Sequence, residues 1–215
     1  MPDQGPAGVR QARAAETEAA LKEAAKRVFD RAGYLNAKIT DITAEAGRAA
    51  GSFYSHFDSK EQLLEALLTD VLDEGRRRAA QPGHSPDFSR VEAVRYHVAG
   101  YWDFVTQNRP VVLALNQAAM VSEHFARRQR ELLAPLFREL VSHLDYVTAA
   151  GGTLPGDPAA VADAMTALMS GYAFIWLTAD SEQRGPRPSA DEAVDMLARL
   201  ILNGIMGPPP GRAGA

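Results

Sequence analysis

The sequence predicts an all-α fold, with an N-terminal three-helix head, a larger helical body and about nine helices in total. Three observations carry this. Apolar residues recur at helical spacing in one segment after another, and no stretch alternates as a half-buried strand does. Gly, Pro and capping residues interrupt these segments at helix-like lengths. There is no internal repeat, so the helices are not those of a solenoid.

Each element follows from its own residues. Residues 1–15 are rich in Gly, Pro, Ala and Gln and are expected to form a flexible arm, with Arg10 and Arg13 free to lie along a polyanion or simply to be solvated. A first helix is expected from Thr17 to Ala32, because Leu21, Ala24, Ala25, Val28, Phe29 and Ala32 share one face and Gly33 follows as a C-cap. Thr40 is the expected N-cap of a second helix, with Asp41 favourable at its positive end. A third runs from Ala50 to Phe57. Ser59 and Gln62 suggest a capping box that opens the fourth, whose stripe is Leu63, Leu64, Leu67, Leu68, Val71 and Leu72. Val91 to Val105 mark the fifth. Pro110 opens a short sixth reaching about Met120. The seventh spans about Ser122 to Ala149 and should kink at Pro135. Asp157 and Pro158 start the eighth, and Ser189 with Glu192 caps the ninth.

Composition narrows the function classes. The 215 residues are 46% hydrophobic, which suffices for a sizeable core. The absence of cysteine excludes disulfides, cysteine nucleophiles and thiolate metal sites. No N-terminal signal is apparent, and the most apolar window, 164–179, reads as too interrupted to span a membrane, so a cytoplasmic location is expected. The five histidines show no ligand spacing, and no nucleophile elbow or phosphate loop is present. No metal, no cofactor and no catalytic residue are therefore expected. The net charge of −4 is unevenly spread, with nine Lys+Arg against eight Asp+Glu in residues 1–60 and every lysine in that part.

The stretch from Thr40 to Lys60 has the pattern of a helix-turn-helix. Gly47 suits the tight turn. Phe53 and Phe57, four apart, would be buried together, leaving Ser52, Tyr54, Ser55 and His56 to meet phosphates and base edges. Lys60 lies in the first turn of the next helix as a phosphate contact. Through Thr40, Asp41, Ile42, Ala46, Gly47, Gly51, Ser52, Phe53, Tyr54, Phe57, Ser59, Lys60 and Glu61, the segment resembles the TetR family of bacterial transcriptional regulators. The resemblance covers roughly residues 16–70 and departs from the family at Arg48, where an apolar residue is usual, and at Ala49, where a capping side chain is common.

The resemblance implies a DNA-binding transcriptional regulator, a repressor released from a palindromic operator by a small, partly apolar effector. The implied domains are a helix-turn-helix head at 16–60, an effector and dimerisation domain at 61–206 and a disordered tail at 207–215. The expected contacts to double-stranded DNA are Thr40, Arg48, Ala50, Gly51, Ser52, Tyr54, His56 and Lys60. An effector is expected among Tyr101, Trp102, Asn116, Gln117, Met120, Phe137, Met165, Met169, Tyr172 and Trp176, which mix aromatics, adaptable thioethers and a few amides. A homodimer through helices eight and nine is implied, since two heads must read half-sites about 34 Å apart. Arg48, Ala49 and Ala50 leave open a rival, a helical ligand-binding protein or enzyme whose head no longer binds DNA. A transcriptional activator would look the same.

Overall fold

A computed structural model describes residues 6–79, 83–178 and 188–205. All regular structure among them is helical: α1 (Pro6–Asn36), α2 (Ile39–Glu45), α3 (Ala50–Phe53), α4 (Lys60–Ala79), α5 (Val91–Gln107), α6 (Arg109–Val121), α7 (Glu123–Ala149), α8 (Pro158–Thr178) and α9 (Ala190–Ile205). The expected tail at 207–215 and most of the 184–188 loop lie outside the described residues.

Several boundaries differ from those expected. Helix α1 begins at Pro6, so residues 6–14 are helical rather than an arm. Pro suits a first helical turn, and the Ala, Gln and Arg that follow are good helix formers. Helix α2 starts at Ile39 with Lys38 at its N-cap, and the Asp41 carboxylate accepts the Lys38 N–H at 3.2 Å. Thr40 is therefore the second helical residue, not the cap. Regular α3 is one turn long, and hydrogen-bonded turns carry the chain on to Phe57. Other expected caps are present. Ser59 Oγ accepts the Gln62 N–H at 3.1 Å, Asp157 Oδ1 accepts the Ala159 N–H at 3.0 Å, and Ser189 and Glu192 bond reciprocally at 2.7 and 3.3 Å. Helix α7 continues through Pro135.

Contacts divide the chain into two units, one within Met1–Leu72 and Asn108–Gln129, the other within Asp73–Gln107 and Arg130–Ala215. This differs from the expected boundary near residue 60. Residues 60–72 of α4, all of α6 and the start of α7 belong with the N-terminal helices. The N-terminal unit packs Leu21, Ile42, Phe53, Leu63 and Leu64 with no exposed surface, and each stabilises it by about 1.5–3 kcal/mol. In the second unit α5 packs mainly on α9, burying Val94, Val98, Val194 and Leu197, and Arg95 pairs with Asp195 at 2.6 Å across them.

Helix α6 is tied to α1 by polar links. Arg109 pairs with Asp30 at 2.8 Å, and Gln117 Oε1 accepts the Tyr34 N–H at 2.8 Å. The second link depends on Gly33, whose φ of 73° and ψ of 160° only glycine adopts readily. A Cβ there would lie 3.4 Å from the Gln117 amide. Gly33→Ala should therefore destabilise the N-terminal unit by about 1–3 kcal/mol, measurable as a lower urea midpoint. An unchanged midpoint would show that this turn is not strained by a side chain.

Candidate nucleic-acid interface

Helix α2 ends in a turn that Gly47 makes possible. Its φ is +63°, its N–H donates to the Ala44 carbonyl at 3.1 Å, and the Arg48 N–H donates to the Thr43 carbonyl at 2.9 Å. The chain restarts as α3 at Ala50. Phe53 and Phe57 are buried, with ring centroids 5.6 Å apart, and they seat the turn-helix on the head. The opposite side faces outward: Thr40, Ala50, Gly51 and Ser55 are exposed, Ser52 and His56 partly so. Tyr54 is 61% exposed even though it is a large aromatic, and its ring is braced edge-on against Phe53 at 5.5 Å. The Ser52 hydroxyl donates to the Ala49 carbonyl at 2.8 Å, so its lone pairs remain to accept. This is a small outward surface of hydroxyls, an imidazole and bare backbone on a rigid apolar base.

Two of the expected cations point elsewhere. Lys60 turns onto α1, where its ammonium donates to the carbonyls of Tyr34 and, at 2.8 Å, Ala37, and sits 4.2 Å from the centre of the Tyr34 ring. Burial there lowers its pKa below the ordinary lysine value, with Glu61 opposing the shift. The Tyr34 phenol is pushed up to about 12, by burial first and Glu61 second. Arg48 pairs with Glu16 of α1 at 3.2 Å, and its buried Nε has no partner. Sequence reasoning missed Glu16 because it stands 32 positions from Arg48, ahead of the expected first helix, where no local pattern links the two. On the other side of the head, Glu45 pairs with Arg27 at 2.7 Å and Arg31 at 3.3 Å, and these two hold its carboxyl below the usual range.

The expected effector residues fall in both units. Asn116, Gln117 and Met120 belong to the N-terminal unit. Asn116 is exposed and donates to its own helix at the Val112 carbonyl, Gln117 serves Tyr34, and Met120 is 87% exposed. The other seven lie in the second unit. Trp102 is buried with its indole N–H unpartnered, and the rings of Tyr172 and Trp176 stand 5.8 and 5.0 Å from it. Met165 is buried, and Tyr101, Phe137 and Met169 are partly so. Burial pushes the Tyr101 phenol up to about 12.

Two further features were not read from the sequence. Histidine spacing suggested no metal ligands, yet His84, His97 and His143 converge in the second unit. They come from three separate elements, so no local motif could reveal them. Helix α8 is also long and apolar enough, at 21 residues, to cross a membrane by length and composition, because Pro158 extends it beyond the window read in the sequence.

Residues 21–67 match the family model of bacterial regulatory proteins of the tetR family, and residues 104–203 match the C-terminal model of BetI-type transcriptional repressors. The chain is 32% identical over 155 residues to the transcriptional regulator BetI of Agrobacterium fabrum, covering 71% of this chain and 72% of that protein. It is 39% identical over 74 residues to the regulator TtgR of Pseudomonas putida, but this match covers 34% of this chain and about a third (35%) of TtgR. The crystal structure of FadR from Bacillus subtilis in complex with stearoyl-CoA superposes with a TM-score of 0.69 at 15% identity, over 86% of this chain and 98% of that one. The chain belongs to the TetR family of bacterial regulatory proteins.

The two faces of the α3 segment can be separated by mutation. Phe53→Ala should cost the N-terminal unit about 3–5 kcal/mol, whereas Tyr54→Ala should stay within about 0.5 kcal/mol. Equal losses in chemical denaturation would mean that Tyr54 belongs to the core.

Proposed function

We propose that this protein is a DNA-binding transcriptional repressor that a small, partly apolar effector releases from a palindromic operator. The observation that carries this reading is the two-faced segment from Ala50 to Phe57, with both phenylalanines buried and Tyr54, Ser55 and the α3 backbone turned outward. In this reading Thr40, Tyr54, Ser52 and His56 hold phosphates. Ala50 and Gly51 approach base edges, where Ala50 offers only a methyl for thymine. Such sparse base contact leaves DNA shape a share of the specificity. Lys60 keeps one N–H after serving two carbonyls, and that donor is assigned to a phosphate. Arg48 reaches the duplex when a phosphate replaces Glu16.

The effector is assigned to the second unit, around Trp102, Met165, Met169, Tyr172 and Trp176, together with Tyr101 and Phe137 of the same unit. The buried, unpartnered Trp102 N–H calls for an acceptor on the ligand. The FadR structure, similar in fold, was solved in complex with stearoyl-CoA, which supports an effector with an apolar part. Release works by linkage: the effector shifts the balance only by its differential affinity for the two states, and operator and effector weaken each other by the same factor. Helices α4 and α7 each run from one unit into the other, so they are the continuous elements through which that coupling would pass.

Dimerisation is assigned to α8 and α9. Leu168, Phe174 and Ile175 on α8 and Met196 and Leu200 on α9 are exposed large apolar residues. Only 22% of the apolar window of α8 is buried in the single chain. A soluble protein leaves few such patches uncovered, and a second copy would hide this one. The small Ala164, Ala167 and Gly171 allow close approach.

Binding to DNA flanking the protein's own gene, measured by fluorescence anisotropy across a salt series, tests the reading. Lys60→Ala should weaken all sequences and reduce the slope of log K against log salt by about 0.9. Retained slope would remove Lys60 from the phosphates, and no binding by the wild-type chain at low salt would favour the non-DNA rival. Separately, Leu200→Glu should shift the protein from dimer to monomer in sedimentation and weaken operator binding. A dimer that tolerates this charge would place the interface elsewhere.

A further inference from the structure

The three histidines of the second unit form a cluster that the regulatory reading does not use. His84 precedes α5, His97 lies on α5 and His143 on α7, and one nitrogen from each falls within 4.8 Å of the others. Ring centroids are 4.9 Å apart for His84 and His97, 4.8 Å for His97 and His143, and 5.6 Å for His84 and His143. Phe88 closes one side, 4.8 Å from His97 and 5.0 Å from His143. Aromatic packing alone would be met by more phenylalanines, so the polar atoms need a separate account.

Those atoms are arranged as ligands. The His97 Nδ1 lies 2.9 Å from the Ala93 carbonyl, which can only accept, so Nδ1 carries the proton and Nε2 presents a lone pair. Metal-bound histidines are commonly oriented in this way, by a hydrogen bond from the other ring nitrogen to a carbonyl. His97 Nε2 faces His84 Nε2 at 3.1 Å. The His143 side chain is 5% exposed, and its buried Nδ1 has no hydrogen-bond partner. A carboxylate stands at the rim. Glu139 Oε1 is 3.9 Å from His84 Nε2 and 4.0 Å from His143 Nε2, and its side chain is 49% exposed. Burial, reinforced by the neighbouring imidazoles, holds His143 down at about 4, and burial also lowers His97.

We propose that His84, His97 and His143 bind a divalent transition-metal ion of the zinc type, with Glu139 or a water as the fourth ligand. Tetrahedral zinc with bonds near 2.0–2.1 Å spaces its donors about 3.3 Å apart. The His84–His97 pair already has this spacing, and the remaining donors must close by on the order of 1 Å, within reach of side-chain rotation. Three imidazoles and at most one carboxylate suit zinc, nickel, cobalt or copper and not magnesium or calcium, which prefer oxygen sets. Binding moves the His84 proton from Nε2 to Nδ1 and fastens the segment before α5 to α5 and α7. The site stands whether or not the head binds DNA.

The test uses the full chain without a purification tag, stripped with chelator and titrated with Co²⁺ and then Zn²⁺. One equivalent of Co²⁺ should give the visible absorption of a tetrahedral site and be displaced by Zn²⁺. Zinc should shift the ring resonances of three of the five histidines in the wild-type protein, leaving His56 and His124 in place. His84→Gln, in the segment outside the helices, should weaken binding at least about 100-fold with circular dichroism unchanged, and His124→Gln should not weaken it. Absence of stoichiometric binding, retention of full affinity by His84→Gln, or zinc shifts at His56 or His124 instead would overturn the proposal.

Discussion

Helix α1 kinks at Gly33, three residues before its end, and leaves backbone groups there in need of partners, around which the N-terminal unit is assembled. Gln117 of α6 takes the Tyr34 N–H, while Lys60 of α4 takes the carbonyls of Tyr34 and Ala37 and covers the Tyr34 ring. The Asn36 side chain returns to the Ala32 carbonyl at 3.1 Å. Buried backbone groups left unpaired would each cost about 1–3 kcal/mol, so three elements distant in sequence are drawn to one spot. This constraint places α4, and with it the turn-helix segment that precedes it, on the first helix.

The outward surface of that segment is consequently modest. One regular turn, a glycine, an alanine and a few hydroxyls can sit close to a duplex but say little about sequence. The cations that could add affinity have other bonds. Lys60 holds the head together, and Arg48 is paired with Glu16 while its Nε is buried without an acceptor. A guanidinium in that state gains more from a bidentate anion than one already satisfied. The head therefore carries a latent charge whose release depends on a residue outside the helix-turn-helix itself.

Much of the fold was legible because it rests on local signals. Helical spacing identified the helices, and capping chemistry placed the starts of α8 and α9 through Asp157, Ser189 and Glu192. The paired burial of Phe53 and Phe57 followed from their separation of four. What was not legible depends on distant contacts. Nothing local says that Gln117 seeks a backbone amide 83 positions away, or that three histidines on separate elements converge. Lys60 was read as a phosphate contact because it lies in the first turn of the helix after the motif; the structure adds a capping role that a motif cannot reveal. Asn116, Gln117 and Met120 looked like pocket residues because polar or flexible side chains in an apolar helix need a reason. The reason for Gln117 proved to be α1, and the others face outward.

The attachment of α6 to α1 bears on how such regulators could be recombined. A chimera that grafts this head onto another sensing module by a single cut after α4 would leave behind Arg109 and Gln117, and with them the partners of Asp30 and the Tyr34 amide. The transplantable piece is discontinuous: residues up to 72 together with 108–129. Designers exchanging specificities would have to splice at three junctions and keep that inserted helix with its native host.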